Sequence, residues 1–249
     1  MTPHPLPLDG RPETAALYLP ETAGPSPGVL VIHDLTGFRD DTRRHCARLA
    51  AEGFAAAAPD LYAGRRPACV VRTLTSLLRG QGHGLEVIEA TRDALAAHPA
   101  VDAERIGIIG FCMGGGFALL AAADGPYAVA GPFYGTVPRD PERLRGLCPT
   151  LAQFGQQDLA FRSHAARLAR HLQTLGVEHE VVIHEGVGHS FMNDHPDPVF
   201  GLGRFTPMRA RHEAAAEADA WARLLPWLRR HLTPDPPATG GPATTSALR

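Results

Sequence analysis

Short apolar runs alternate along the chain with longer stretches in which apolar positions recur every three or four residues. Gly28 to Asp34, "GVLVIHD", is a β-branched run closed by polar residues and predicts a buried strand. "DDTRRHCARLAAEGF" follows with apolar residues at helical spacing and Gly53 as its stop, which predicts a helix. "AAAAPDLY" reads as the next strand, and "GLEVIEATRDALAAHP" as a helix that Pro99 ends. "RIGIIGF" is a strand and "GGGFALLAAA" opens a helix; "PTLAQFG", "HAARLARHLQTLG", "EHEVVIHEG" and "AAAEADAWARLLPWLRRHL" continue as strand, helix, strand, helix. Ahead of them, "AALYLP" reads as a short edge strand in a Pro-rich, polar opening. The alternation predicts an α/β fold: a mostly parallel, doubly wound sheet with helices on both faces. One folded unit is expected over residues 1–232. The final stretch, residues 233–249, has no hydrophobic period and is expected to be a disordered tail.

Composition narrows the classes of function. With 249 residues, 44% hydrophobic and 20% charged, the chain is long enough to bury a sizeable core. A net charge of −2 without a basic stripe argues against nucleic acid as a partner. Ile106 to Ala123 is uncharged and near the minimum length of a spanning helix. Five glycines fall within it, however, and a strand, a tight turn and a buried helix explain them better. No membrane partner is therefore expected. The N-terminus has neither a basic n-region nor an apolar h-region. The four cysteines, Cys46, Cys69, Cys112 and Cys148, are scattered and form neither a disulfide framework nor a zinc signature. A reducing, cytoplasmic location is the default that follows. All 24 basic residues are arginine, which excludes Schiff-base chemistry and a Walker A loop, since both need a lysine amine. "HDLTGF" and "HPDP" offer His and Asp at no recognised ligand spacing, so neither metal nor cofactor is expected.

Candidate chemistry centres on Gly110-Phe111-Cys112-Met113-Gly114, a G-x-C-x-G pattern between a strand and a helix. That is the cysteine form of a nucleophile elbow. The nucleophile sits on a sharp, strained turn, and side chains two positions to either side would strike neighbouring backbone, so both positions favour glycine. The turn also places Cys112 at a helix N-terminus, whose free N–H groups and dipole favour a thiolate and can hold a developing oxyanion. The bland alternative is a buried cysteine that packs as a small hydrophobe. "GPSPG", Gly24 to Gly28, also matches G-x-S-x-G, but no strand precedes Ser26, no helix follows it, and Pro27 has no N–H to offer.

A nucleophilic thiol needs a base, and the base needs an orienting acid. In a fold of this kind the expected chain order is nucleophile, acid, histidine. "PTLAQFGQQD" puts Asp158 in the loop after a strand, and "EHEVVIHEGVGHSF" puts His189 in a Gly-containing loop after the next. Both then sit at the C-terminal ends of strands, where α/β sheets carry their sites. Asp158 could instead cap the helix that starts near Ser163. Among the 13 histidines, His184 at the strand end rivals His189, while His164, His171 and His179 look like solvated positions on a helix or the turn after it.

At these residues the chain resembles the dienelactone hydrolase family of α/β-hydrolases. The resemblance spans roughly Asp9 to Leu232 and is carried by "VLVIHDLTGF", "AAEGFAAAAPDLY", "IGIIGFCMGGGFALL", "FGQQD" and "GVGHSFMND". It implies an α/β-hydrolase fold, with Cys112 as nucleophile, His189 as base and Asp158 as its orienter. It also implies hydrolysis of a small ester or lactone through a thioester. A monomer or small homo-oligomer is expected. The family uses an acid after the first long strand to hydrogen-bond the resting cysteine; the matching residue is Asp34, where the best-known members have Glu, one methylene longer. The resemblance assigns oxyanion-hole N–H groups to Leu35 and Met113. The dienelactone-cleaving members carry an Arg four residues after the histidine for the substrate carboxylate; here that position is Asn193. Arg65, Arg66, Arg72 and Arg79, within residues 64–84, could bind an anion or form a solvated face. A redox-active thiol and a non-catalytic binding protein on the same fold are the alternative readings.

Overall fold

The computed structural model describes residues 2–11, 13–62, 67–194 and 203–233. Along the chain run β1 (His4–Pro7), β2 (Thr14–Tyr18), β3 (Ser26–Ile32), α1 (Asp40–Ala51), β4 (Ala55–Pro59), α2 (Pro67–Arg79) and α3 (His83–Ala96). Then come β5 (Val101–Phe111), α4 (Met113–Asp124), β6 (Val129–Phe133), β7 (Thr150–Gly155), α5 (Arg162–Leu175), β8 (His179–His184) and α6 (Ala214–Leu232). The strands form one sheet in the order β1-β2-β4-β3-β5-β6-β7-β8. β1 and β2 are antiparallel to their neighbours, and the pairs from β4–β3 through β7–β8 are parallel. This is the mostly parallel α/β sheet that the alternation predicts.

The apolar runs form strands because they are buried on both faces of a parallel sheet. Val29 to Ile32 in β3 and Ala55 to Ala58 in β4 are all fully buried. α4 is apolar all round and is buried over nearly its whole length, from Met113 to Ala122. The uncharged stretch from Ile106 is thus the end of β5 and a core helix. Among the described residues no helix is long and apolar enough to cross a membrane.

Three elements depart from the sequence reading. β1 is a four-residue edge strand with two prolines, "HPLP". β6, "VAGPF", lies inside the sheet even though Pro132 has no N–H for a ladder. β6 registers fully on β5 but meets β7 only at Ala130 and Phe133, so the missing donor falls on the sparsely paired side. α2 occupies part of residues 64–84. Its Arg72 bonds His83 Nε2 at 2.9 Å and lies 3.7 Å from Glu13, so this arginine is committed to a surface cluster. Arg65, Arg66 and, of the tail expected over residues 233–249, all but Thr233 lie outside the described residues.

Candidate active site

β3, β5, β6, β7 and β8 run parallel, so their C-terminal ends share one edge of the sheet. Asp34, Cys112, Tyr134, Asp158 and His189 each follow one of those ends. At the end of β5, Cys112 has φ 55° and ψ −113°, a strained conformation for a residue with a side chain, and is the N-cap of α4. Its N–H donates to Phe133 O of β6 at 3.0 Å, which fixes the bend from outside the turn. A Cβ at Gly110 would overlap the Gly114 carbonyl, and a Cβ at Gly114 would overlap the Ile32 carbonyl at the end of β3. The two glycines of the pattern are therefore what allow α4 to start this close to β3. The N–H of Met113, first residue of α4, has no intrahelical acceptor.

His189 lies in the loop after β8 and is buried at 2% exposure. Its Nδ1 bonds Asp158 Oδ2 at 2.5 Å. The other oxygen of Asp158 accepts Phe161 N–H at 3.2 Å, so this carboxylate both caps the turn into α5 and orients His189. The imidazole packs against the rings of Tyr134 and Phe161, each with its centroid 4.8 Å away. Its backbone is clamped on both sides: His189 N–H donates to Met208 O at 2.8 Å and His189 O accepts Arg211 N–H at 3.1 Å. Nε2 is buried with no hydrogen-bond partner among the described residues. Burial alone would lower the basicity of the ring. The Cys112 thiolate and the Asp158 carboxylate outweigh it and push the pKa up to about 10. Cys112 is therefore within electrostatic reach of the nitrogen that Asp158 leaves free.

The rival histidines have other partners. His184 bonds Gln153 Oε1 through Nε2 at 2.8 Å and faces Asp219 through Nδ1 at 3.4 Å. His164, His171 and His179 are half-buried and bonded to backbone: His164 Nδ1 accepts Val137 N–H, while His171 and His179 face the carbonyls of Pro138 and Val177. They are not freely solvated, and His179 opens β8 rather than lying on a turn.

Asp34, in the turn after β3, is buried. Its Oδ1 accepts from the N–H and the hydroxyl of Thr36, at 2.7 and 2.6 Å. Its Oδ2 accepts from Asn193 Nδ2 at 2.6 Å, and Asn193 Oδ1 accepts from the Tyr134 hydroxyl at 3.3 Å. Asn193 is thus committed to an internal network. Burial first, and then the charges of Asp34 and Cys112, push the Tyr62 and Tyr134 hydroxyls up, so both stay protonated donors. Tyr62 donates to Leu35 O at 3.1 Å and lies 3.3 Å from the Met113 sulfur, linking the β3 turn to the elbow. Tyr134, Tyr62 and Thr36 escape the sequence reading: Tyr134 follows the unread strand β6, Tyr62 marks itself only through its long-range partners Leu35 and Met113, and Thr36 only through the Asp34 carboxylate two residues before it. The remaining thiols are poorer nucleophiles where burial reaches them: it raises Cys46 and pushes Cys148 up to about 12. Among the described residues no disulfide joins any of the four cysteines. Among the described residues no group of three or more His, Cys, Asp or Glu is arranged to hold a metal ion.

Comparison with known proteins adds an independent line. The model of the dienelactone hydrolase family matches residues 14–232. An Escherichia coli (strain K12) protein named "Putative carboxymethylenebutenolidase" is 26% identical over 228 residues, covering 85% of this chain and 79% of its own. A Bradyrhizobium sp. protein named "Probable 2-oxo-3-(5-oxofuran-2-ylidene)propanoate lactonase" is 28% identical, covering 90% and 92%. Among solved structures, a dienelactone hydrolase-like promiscuous phosphotriesterase from metagenomic libraries superposes with a TM-score of 0.77 at 25% identity, over 92% of this chain and 97% of that one.

Proposed function

The chain belongs to the dienelactone hydrolase family, and from that premise we propose that it hydrolyses small esters or lactones with Cys112 as nucleophile. The observation that carries this reading is the raised basicity of His189, with Asp158 on Nδ1 and the thiolate of Cys112 as a cause. A histidine that keeps its proton to about pH 10 beside a thiolate is an ion pair ready for attack.

The Cys112 thiolate adds to the substrate carbonyl, and the carbonyl π electrons move to oxygen. The N–H groups of Leu35 and Met113 receive that oxyanion; one such donor is typically worth about 10²–10³ in rate. The oxyanion collapses, the C–O bond to the leaving group breaks, and protonated His189 gives its Nε2 proton to the departing oxygen. An acyl thioester remains on Cys112. Acylation has now removed the thiolate charge, one of the causes that raised His189, so the imidazole is neutral and able to act as a base. It takes a proton from water, the resulting hydroxide attacks the thioester, and the acid leaves as the thiolate re-forms. Asp34, in the turn after β3, assists the initial transfer of the Cys112 proton that forms this ion pair.

The names of the Bradyrhizobium and Escherichia coli relatives support a lactone or ester substrate. Leu35 and Leu159, each adjacent in sequence to a proposed site residue, are about half exposed, at 48% and 54%, which favours apolar groups around the scissile bond. The test is turnover of a short-chain aryl ester by Cys112→Ala. Loss to the background rate is expected; undiminished hydrolysis would remove Cys112 from the mechanism.

A further inference from the structure

We infer that His33 is a positioning residue that aims the Leu35 N–H into the oxyanion hole by holding the carbonyl of the same peptide unit. The inference rests on the cysteine hydrolase reading above and adds a residue to it. His33 follows β3 and is almost completely buried, at 1% exposure. The backbone N–H of Leu61 points at its Nε2 at 3.1 Å. A backbone N–H can only donate, so Nε2 is the acceptor and carries no proton. The ring proton therefore sits on Nδ1, which lies 2.7 Å from Asp34 O and donates to it.

That carbonyl belongs to the Asp34–Leu35 peptide. In a planar trans peptide the C=O and the N–H point in opposite directions. Fixing Asp34 O against His33 therefore turns the Leu35 N–H the other way. Gly37 N–H also donates to Asp34 O, at 3.2 Å, and closes the turn from residue 34 to residue 37. The Tyr62 hydroxyl holds the next carbonyl, Leu35 O, and the Tyr62 ring packs edge-on to His33 with centroids 5.0 Å apart. Leu61, which fixes the His33 tautomer, lies two residues past the end of β4, so the orientation of this peptide is anchored to the neighbouring strand. An oxyanion donor must be set before the charge develops, and a donor free to rotate loses part of its benefit to reorganisation.

Two substitutions divide the functions of the ring. His33→Gln keeps an acceptor near the place of Nε2 and removes the donor at Nδ1. His33→Asn keeps a donor near Nδ1 and removes the acceptor. With a short-chain aryl ester, His33→Gln is expected to lower kcat about 10²-fold with KM within about twofold, the mark of an interaction made only in the transition state. His33→Asn is expected to recover kcat to within about fivefold of the wild type. Carboxamidomethylation of Cys112 by iodoacetamide, followed by peptide mass mapping, forms no oxyanion; its rate is expected to stay within about twofold in both variants. Equal losses in alkylation and turnover, or wild-type kcat in His33→Gln, or no recovery in His33→Asn would overturn the assignment. Nitrogen-15 NMR of the wild-type ring decides it without any turnover: a proton on Nδ1 is expected, and a proton on Nε2 overturns it. Failure of the cysteine reading is seen separately, as ester turnover by Cys112→Ala.

Discussion

The elbow at Cys112 and the loop at His189 bring their side chains to one edge of the sheet by opposite means. The elbow is built locally. Gly110 and Gly114 let the end of β5 and the start of α4 pass each other and the end of β3, and one strand bond, from Cys112 N–H to Phe133 O, completes it. The His189 loop is built from a distance. Met208 and Arg211 clamp its backbone, Asp158 fixes its ring from the end of β7, and Tyr134 and Phe161 pack against its faces. The difference separates two kinds of sensitivity. Damage to the elbow strikes packed backbone and lowers stability along with function. Damage to the ties of the His189 ring lowers function and leaves the scaffold standing.

The largest expected effect tests the second half of that contrast. Asp158→Asn still has an oxygen for Phe161 N–H, but its amide offers His189 Nδ1 a donor or a weaker acceptor and disfavours the productive tautomer. A fall in kcat of about 10³–10⁴ is expected, with a melting temperature close to that of the wild type. Unfolding in step with the activity loss would show the loop to be as structural as the elbow.

Gly114→Ala tests the first half. The new methyl group has no room against the backbone carbonyls of Ile32 and His33, which cannot move without shifting β3. A loss of about 2–4 kcal/mol in denaturant unfolding is expected, the scale of overpacking at a rigid site. Activity is expected to fall with it. A variant of wild-type stability would mean that the elbow is looser than its glycines imply.

The smallest effect concerns pH. His189 is raised to about 10 from its ordinary 6.5, so the proton for the leaving group is held throughout the neutral range. The acylation burst with an aryl ester is therefore expected to persist up to about pH 10 and to fall as the pH rises through that value, because the imidazolium is then lost. A burst that falls already near pH 6.5 would show His189 uncoupled from Cys112.

How much of this was legible in the sequence follows the same division. Ten elements from β3 through α6, all but α2 and β6, announce themselves by periodicity and by stop residues such as Gly53 and Pro99. So does the order of Cys112, Asp158 and His189, because each follows a strand end. β6 was not legible: Gly131 and Pro132 break the strand signature, and only the parallel register with β5 makes "VAGPF" a strand. β1 is too short and too rich in proline to show a period. The network of Asp34, Thr36, Asn193 and Tyr134 joins residues up to 159 positions apart, and no local pattern reports such a pairing. The tautomer of His33 was hidden for the same reason: its partner at Leu61 lies 28 residues away, just past the end of the neighbouring strand β4.

The central claim is that a covalent bond to one sulfur lies on the reaction path. Acid quench of a single turnover of a short-chain aryl ester, followed by peptide mass mapping, tests it most directly. The account predicts the acyl mass on the peptide that carries Cys112, appearing with the released phenol and then decaying as the acid forms. Phenol and acid released together in the burst, with Cys112 unmodified at every quench time, would contradict it.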